Sequence, residues 1–460
     1  MAEPPLDLSR PRRIHVVGIG GAGMSAIATV LATMGHTVSG SDLKGGPLLD
    51  RLAAQGITVA VGHDGGHVGE AEAVSISTAI PANNAEVVSA RERGVPVLSR
   101  ADTLAAICAT RRTVAVAGTH GKTTTSSMLA LILTDARPDA SFIIGGEVND
   151  IGTGAVWGTG DLLVVEADES DGTFVRLGAE AVIVTSIEPD HLEHYGGYQG
   201  LVSAFRQFLE DAPGPRLVCA DDPEAAALGR LTGAASYGQA ADAEWRMTNI
   251  ELGRSRSHFD VEHDGEVVAT VELPVPGIYN AQNGCGALVM ALLLGVEVSE
   301  AVGALARYGG VARRFQFRGE RDGITFVDDY AHLPGEVRVA LAAARDGGWS
   351  RVVCCFQPHR YSRTATLWRD FADAFVEADL LVLTDIYSAG EAPRPGVTGE
   401  LILRAVLDAH PGARVAYLPK RSDVAPYLRR TLRPGDLCLT LGAGDLTSIP
   451  DELLHDEAAS

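Results

Sequence analysis

Thr113-Val114-Ala115-Val116-Ala117-Gly118-Thr119-His120-Gly121-Lys122-Thr123-Thr124-Thr125 is the stretch on which the fold turns. It reads as a short buried strand, a glycine-containing loop and the start of an apolar helix over Ser126 to Leu133. A Gly-Lys-Thr at such a junction holds a nucleoside triphosphate. Backbone N–H groups and the helix N-terminus face the phosphates, the lysine neutralises the β/γ oxygens and the hydroxyl reaches Mg²⁺. Gly118, Thr119, His120, Gly121, Lys122, Thr123 and Thr124 are therefore the candidate phosphate-binding residues, with Thr123 also a candidate metal ligand. The common loop carries its first glycine where Val116 stands. This loop is Gly-x-x-Gly-Lys-Thr, two residues tighter.

Upstream, residues 12 to about 108 alternate strand and helix. The strand Ile14-His15-Val16-Val17 leads into Gly18-Ile19-Gly20-Gly21-Ala22-Gly23-Met24 and an apolar helix to about Met34. The spacing of Gly18, Gly20 and Gly23 permits a tight turn, backbone approach to a diphosphate and close helix–strand packing. Asp42 ends the next strand, where a ribose-binding carboxylate would sit. Taken alone, the pattern reads as a nicotinamide or flavin dinucleotide site, or as a glycine-rich turn in a doubly wound sheet. A strand at Val74 to Ile76, followed by Ser77-Thr78, and a helix near Glu86 to Arg93 complete the region. Leu104 to Thr110 reads as the lead into the phosphate loop.

Downstream, the buried strand Leu162 to Val165 ends in Glu166-Ala167-Asp168-Glu169-Ser170-Asp171. The strand Ala181 to Val184 ends in Glu188-Pro189-Asp190-His191. Ligands of open α/β sheets bind beyond the carboxyl ends of strands. Hard oxygen ligands with one imidazole suit Mg²⁺, so Glu166 and His191 are candidate metal ligands; Asp168, Glu169 and Asp171 read equally well as solvated loop. Residues 242 to 273 alternate in period two around His263-Asp264-Gly265, a hairpin turn in an antiparallel insert. Asn280 and Asn283 lie three apart and share a helix face, unless they serve as caps. After Gly309 to Phe315 a third α/β pattern begins, with strands at Ile324 to Val327, Arg351 to Phe356, Ala378 to Leu383, Arg414 to Leu418 and Asp436 to Leu441. Polar groups gather after these strands, and Arg360 and Arg363 are placed to fork a carboxylate or phosphate.

The 460-residue length predicts about three domains. We place them at 1–108, 109–315 and 316–460. Hydrophobic residues at 46% with 52 glycines suit an α/β protein with many tight turns. No run approaches the ~18 apolar residues of a membrane span, and Met1 to Pro5 predict no signal peptide. The six cysteines lack metal or redox spacing and read as reduced packing residues of a cytoplasmic protein. A net charge of −21 argues against nucleic acid or an anionic membrane as partner. Of 38 cationic residues only Lys44, Lys122 and Lys420 are lysine, so a chain that avoids lysine keeps one in the phosphate loop.

Two nucleotide-type loops of different geometry, with no Ser/His/Asp arrangement and no zinc spacing, suit an ATP-dependent joining reaction better than a simple ATPase. In order and spacing, Gly18 to Met24, Gly118 to Thr125, Glu166 to Phe174, Glu188 to His191, Asp328 to His332 and Gln357 to Thr364 resemble the Mur ligases of bacterial cell-wall synthesis. That family shares the tight loop with folylpolyglutamate synthases. The resemblance runs from Gly18 to Gly444. It implies a Rossmann-like first domain that binds the UDP of a sugar nucleotide rather than a dinucleotide, a central P-loop ATPase-type domain with a small antiparallel insert, and a Rossmann-like C-terminal domain.

The implied chemistry uses ATP and Mg²⁺. The lactyl carboxylate of UDP-N-acetylmuramate is phosphorylated, and the amine of L-alanine then expels phosphate from the acyl phosphate. Carried over residue by residue, the resemblance puts Lys122 on the γ-phosphate, Thr123 and Glu166 on one Mg²⁺ and His191 on a second. It puts Asn283 at adenine, Asp329 at the ATP ribose and Arg314 on the phosphates. Tyr330, His332, Arg360 and Arg363 match positions facing the acceptor carboxylate and the amino acid. Gly18, Gly20, Gly21, Gly23, Met24, Asp42, Ser77, Thr78 and His120 fall on the UDP-sugar side. Two positions depart from the family, which usually has Asn at Ser186 and His at Leu333. Some relatives hold the second metal with a carbamylated lysine; no lysine follows His191 before Lys420. The expected oligomeric state is a monomer or weak homodimer, and three domains imply closure over substrates. The alternatives are a recycling ligase that adds a tripeptide to the same sugar nucleotide, a nicotinamide-dependent oxidoreductase and a nucleotide-gated scaffold.

Overall fold

The computed structural model describes residues 6–77, 79–190 and 192–455. Thr78 and His191, both candidate site residues, lie outside them. The chain forms two compact units, one of Met1–Ile250, Phe259–Glu272 and Gln282–Gly309, the other of Glu251–His258, Leu273–Ala281 and Gly310–Ser460.

The first unit begins with five strands, β1 (Arg13–Val17), β2 (Thr37–Asp42), β3 (Thr58–Val61), β4 (Ala73–Ile76) and β5 (Val97–Ser99). Their order is β3-β2-β1-β4-β5, and all pairs are parallel. The order reverses between β1 and β4, so the crevice at their carboxyl ends is the natural ligand site of this sheet. Apolar runs such as Ile14 to Val17 are buried because helices cover both faces of a parallel sheet.

The same unit continues with β6 (Arg112–Ala117), β7 (Ser141–Val148), β8 (Thr153–Val156), β9 (Leu162–Glu166), β10 (Ala181–Val184), β11 (Arg216–Cys219), β12 (Ala235–Gly238), β13 (Trp245–Leu252), β14 (Ser257–His263) and β15 (Glu266–Leu273). Their order is β15-β14-β13-β12-β11-β10-β6-β9-β7-β8, with β6 between β10 and β9. Asp264 and Gly265 both have positive φ (53° and 81°), as a two-residue hairpin turn requires. That turn was expected. The antiparallel hairpin of β7 and β8 was not anticipated from sequence.

Two helices differ from expectation. The one after the phosphate loop runs from Lys122 to Ala136, because left-handed Gly121 starts it one turn before the apolar run. Leu104 to Thr110 is not a connector: its first residues are the end of a helix over Arg100–Cys108, started by a reciprocal Ser99–Asp102 capping box. The core of this unit joins Ile14, Val16, Ile27 and Leu31 to Ala115, Val165 and Val184. Phe174 packs its ring 4.8 Å from Phe205 and 5.1 Å from Phe208.

The second unit carries β16 (Gln316–Arg321), β17 (Ile324–Asp329), β18 (Arg351–Phe356), β19 (Leu380–Leu383), β20 (Val415–Tyr417) and β21 (Asp436–Leu441), in the order β16-β17-β21-β18-β19-β20. Only β16 runs antiparallel to its neighbour. It was not anticipated, because it alternates too few apolar residues. Each sheet is thus α/β, as expected. All six cysteines are buried and free. Among the described residues no helix is long and apolar enough to cross a membrane.

Candidate functional site

Register explains the tight phosphate loop. Val116 is fully buried and pairs with Glu166 across β6 and β9, so the strand extends through the position of the usual first glycine. The loop then begins at Gly118, whose φ is 138°. Ala117 pairs with Val184, so Thr185 and Ser186 follow directly alongside. A Cβ on Gly118 would lie 2.1 Å from Thr185 Oγ1, which only glycine avoids. Gly121 has φ 82°, and a Cβ there would lie 2.4 Å from Asn283 Oδ1.

Ser186, one of the two departures, has a defined task. Its carbonyl accepts from Thr119 N–H (2.9 Å) and its Oγ from His120 N–H (2.9 Å). Asn283 also accepts from Thr125 Oγ1 (3.1 Å), so its carboxamide rests on the first turn of the phosphate helix. Thr124 lies in that turn, where its carbonyl accepts from Ser127 Oγ (2.7 Å).

Thr123 Oγ1 donates to Glu166 Oε1 at 2.8 Å, and Gly145 N–H donates to Oε2 at 2.6 Å. The two candidate oxygen ligands from separate elements therefore meet. Hard oxygens that leave most positions to water and phosphate fit Mg²⁺. Asp168 and Asp171 instead close turns onto Ser170 N–H (2.9 Å) and Thr173 N–H (3.0 Å). Among the described residues no three His, Cys, Asp or Glu side chains are grouped to hold a metal.

Lys122 Nζ donates to Gly118 O at 2.7 Å and lies 2.8 Å from the Glu169 carboxylate. Burial alone would lower its pKa, but the charge and hydrogen bond of Glu169 outweigh burial and hold the ammonium charged. Glu169 is 3% exposed, far more deeply placed than its acidic run suggested.

In the glycine loop, Ser41 O accepts from Gly18 and Ile19 N–H (2.8 and 3.0 Å), Gly18 O accepts from Gly21 N–H (3.1 Å), and Asp42 Oδ2 accepts from Gly20 N–H (2.9 Å). A Cβ at Gly18 would stand 3.4 Å from Ser77 Oγ, which places Ser77 beside the loop. Met24 is buried beneath it. Sequence reading missed the acid below. Fully buried Glu86 accepts from Ser41 Oγ (2.7 Å), His63 Nδ1 (2.9 Å) and His67 Nδ1 (2.9 Å), with His15 Nε2 at 3.6 Å. Burial pushes this carboxyl up, yet nearby His15 and the hydrogen bonds of Ser41, His67 and His63 prevail and bring it to about 2. These five side chains are scattered from His15 to Glu86, and nothing in their spacing announces the cluster.

In the second unit, Asp329 Oδ2 and Oδ1 accept from Phe315 and Ala331 N–H, both at 2.7 Å. Burial raises its carboxyl to about 6 against the Arg314 charge. Arg314 stands 5.8 Å from the Tyr330 ring centre. The Tyr330 and His332 rings are 5.2 Å apart, and His332 and His359 are 5.7 Å apart. Arg363 Nη1 donates to His359 Nδ1 at 2.9 Å, while Arg360 (φ 70°) starts the same helix. Burial and then the Arg363 charge lower the His359 pKa to about 4, so this imidazole is neutral. Glu336 Oε2 accepts from the backbone N–H of His332 (2.8 Å) and Leu333 (3.0 Å), so Leu333 contributes its backbone here. His359 and Glu336 were not singled out from sequence. Their partners are close in sequence, Arg363 four residues after His359 and His332 and Leu333 just before Glu336, but only the folded backbone turns these side chains toward each other.

Comparison with known proteins adds three family matches in chain order. "Mur ligase family, catalytic domain" covers residues 13–112, "Mur ligase middle domain" 116–291 and "Mur ligase, glutamate ligase domain" 313–444. The UDP-N-acetylmuramate–L-alanine ligase of Kineococcus radiotolerans is 46% identical, with 97% of each chain covered. That of Agrobacterium fabrum is 42% identical, with 96% of each covered. The crystal structure of the UDP-N-acetylmuramate-alanine ligase of Thermotoga maritima superposes with a TM-score of 0.82 at 27% identity, covering 96% of this chain and 98% of that one. A murein peptide ligase of Psychrobacter arcticus shares the fold, with a TM-score of 0.69 at 23% identity over 96% of this chain and 98% of its own.

Proposed function

The chain belongs to the Mur ligase family, and from that premise we infer that it is an ATP-dependent ligase joining L-alanine to the lactyl carboxylate of UDP-N-acetylmuramate. The observation that carries this reading is likeness across almost the whole chain, at 42–46% identity, to ligases named for that reaction. The recycling reading has behind it a structural likeness at 23% identity, which speaks for fold alone.

The chemistry follows from leaving groups. An amine cannot expel oxide from a carboxylate, but it expels phosphate from an acyl phosphate. A carboxylate oxygen attacks the γ-phosphorus of ATP and ADP leaves. The alanine nitrogen then bonds to the acyl carbon, the C–O bond to phosphate breaks, and the nitrogen loses a proton. Catalysis of this kind rests on positioning and charge neutralisation.

In our assignment Lys122 binds the γ-phosphate, and the loop from Gly118 to Thr124 holds the chain of phosphates through the N–H groups at the helix start, Lys122 to Thr124, since those of Thr119 and His120 are taken by Ser186. Thr123, Glu166 and His191 hold Mg²⁺, which when bound neutralises phosphate charge. Asn283, Asp329 and Arg314 contact adenine, ribose and phosphates. Tyr330, His332, Arg360 and Arg363 orient the amino acid and the acceptor carboxylate, where two guanidinium forks suit carboxylates. Gly18, Gly20, Gly21, Gly23, Met24, Asp42, Ser77, Thr78 and His120 receive the UDP-sugar. A cytoplasmic site of action completes the proposal, since the nucleotide substrates are cytoplasmic metabolites of the cell.

The test is phosphate release from ATP with UDP-N-acetylmuramate and, in turn, L-alanine, glycine, L-serine or the tripeptide. Release with L-alanine is expected, and ¹⁸O placed in the lactyl carboxylate should appear in the released phosphate. Release with tripeptide alone would replace this reading with the recycling reaction.

A further inference from the structure

The glycine loop lacks a cation of its own. No Lys or Arg occurs from Gly18 to Met24, Asp42 places a carboxylate on Gly20 N–H, and the chain carries net charge −21. The loop's first amides are also engaged, those of Gly18 and Ile19 by Ser41 O and that of Gly21 by Gly18 O. A diphosphate approaching this surface needs a positive group from another part of the sheet.

Register supplies one. Val17 pairs with Ile76, and Ile76 with Ser99, so the next residues Gly18, Ser77 and Arg100 emerge at the same edge of three adjacent strands. The Arg100 side chain reaches back over the first turn of the glycine helix. A Cβ on Gly23 would lie 2.9 Å from Arg100 Nε and 3.4 Å from its Nη2. The guanidinium thus lies against the bare Cα of Gly23, at the start of the glycine helix. Arg100 is half-buried, and among the described residues no hydrogen bond or ion pair engages it, while its charge acts at longer range on Asp168. Its backbone is fixed: Ser99 and Asp102 cap the helix reciprocally (Ser99 N–H to Asp102 Oδ2, 3.0 Å; Asp102 N–H to Ser99 Oγ, 3.1 Å), and Asp102 also pairs with Arg176. An arginine whose backbone is held this firmly, and whose donors make no hydrogen bond, is available to an anion, although its charge also acts on the Asp168 carboxylate.

We propose that Arg100 binds the diphosphate of the UDP-sugar, as the cation that the Gly18–Met24 loop lacks. This rests on the function inferred above. The full-length protein, wild type and Arg100→Gln, is titrated calorimetrically with UDP-N-acetylmuramate, UDP and uridine. We expect Arg100→Gln to weaken UDP-N-acetylmuramate and UDP alike, by about 10- to 100-fold, the range of a lost charged hydrogen bond. Uridine binding and the KM for ATP should match the wild type, and Arg100→Lys should recover part of the loss. Exposed Lys44, two residues after Asp42, serves as control, and Lys44→Ala should change UDP binding by less than about threefold. Unchanged UDP binding in Arg100→Gln, an equal loss for uridine, or a loss for the UDP-sugar without one for UDP would each overturn the assignment. Absence of L-alanine-dependent phosphate release in the wild type would instead overturn the ligase reading and leave the UDP titrations intact.

Discussion

The ammonium of Lys122 lies 2.8 Å from the carboxylate of Glu169, with both side chains folded under the phosphate loop. The lysine that would meet a γ-phosphate is thus held by an internal anion. Lys122→Met should abolish ATP turnover and leave UDP-sugar binding by calorimetry within about threefold. It should also destabilise the protein by up to about 3 kcal/mol, because burial already raises the Glu169 carboxyl and the cation that opposes this is lost. Adding Glu169→Gln should restore most of that stability in chemical denaturation while turnover stays absent. A double variant as unstable as Lys122→Met would refute the pairing.

Glu166 receives Thr123 Oγ1 and Gly145 N–H on its two oxygens. Glu166→Gln keeps the shape and loses the charge that would face Mg²⁺. The Mg²⁺ concentration for half-maximal phosphate release should rise at least about tenfold, with a thermal midpoint near that of the wild type. An unchanged Mg²⁺ titration would remove Glu166 from the metal site.

Asp329 has its carboxyl raised by burial from 3.8 to about 6. The folded state then holds the proton more tightly than the unfolded state. The stability this provides is fully present below pH 3.8 and is lost as pH rises through about 6. Relative to Asp329→Asn, the wild type should lose up to about 3 kcal/mol between pH 4 and 7 in parallel denaturant titrations. Parallel pH profiles for the two proteins would contradict this.

Glu86 behaves oppositely. Its buried carboxylate is held near 2 by His15 alongside and by hydrogen bonds from Ser41, His67 and His63 that overcome burial. Its stabilisation is present above pH 4.5 and is lost as pH falls toward 2. Glu86→Gln should cost about 2–3 kcal/mol at neutral pH and flatten the acid limb of the stability curve. Because Ser41 links Glu86 to the glycine loop, the KM for UDP-N-acetylmuramate should rise while that for ATP holds.

Arg363 is oriented by neutral His359, which accepts from its Nη1 at 2.9 Å. Arg363→Lys keeps the charge and loses the planar fork. The KM for L-alanine should rise about 10-fold or more, with the KM for ATP little changed. Equal kinetics would mean that charge alone is used.

What the sequence determined by itself was local. Strand–glycine–helix junctions at Gly18 and Gly118 were legible because a diphosphate or triphosphate loop needs its residues at fixed short spacing, and apolar runs bounded by turn residues marked the flanking strands. The tight spacing around Val116 was also visible, but its cause was not. Tertiary structure decided it, because Val116 pairs with Glu166 on a strand fifty residues away. The same holds for Glu169 beneath Lys122, for Glu86 among its histidines and for Arg100 over Gly23. Each depends on which strand ends lie side by side, and on burial that only packing creates. A charged residue reads the same in sequence whether water or a buried partner surrounds it.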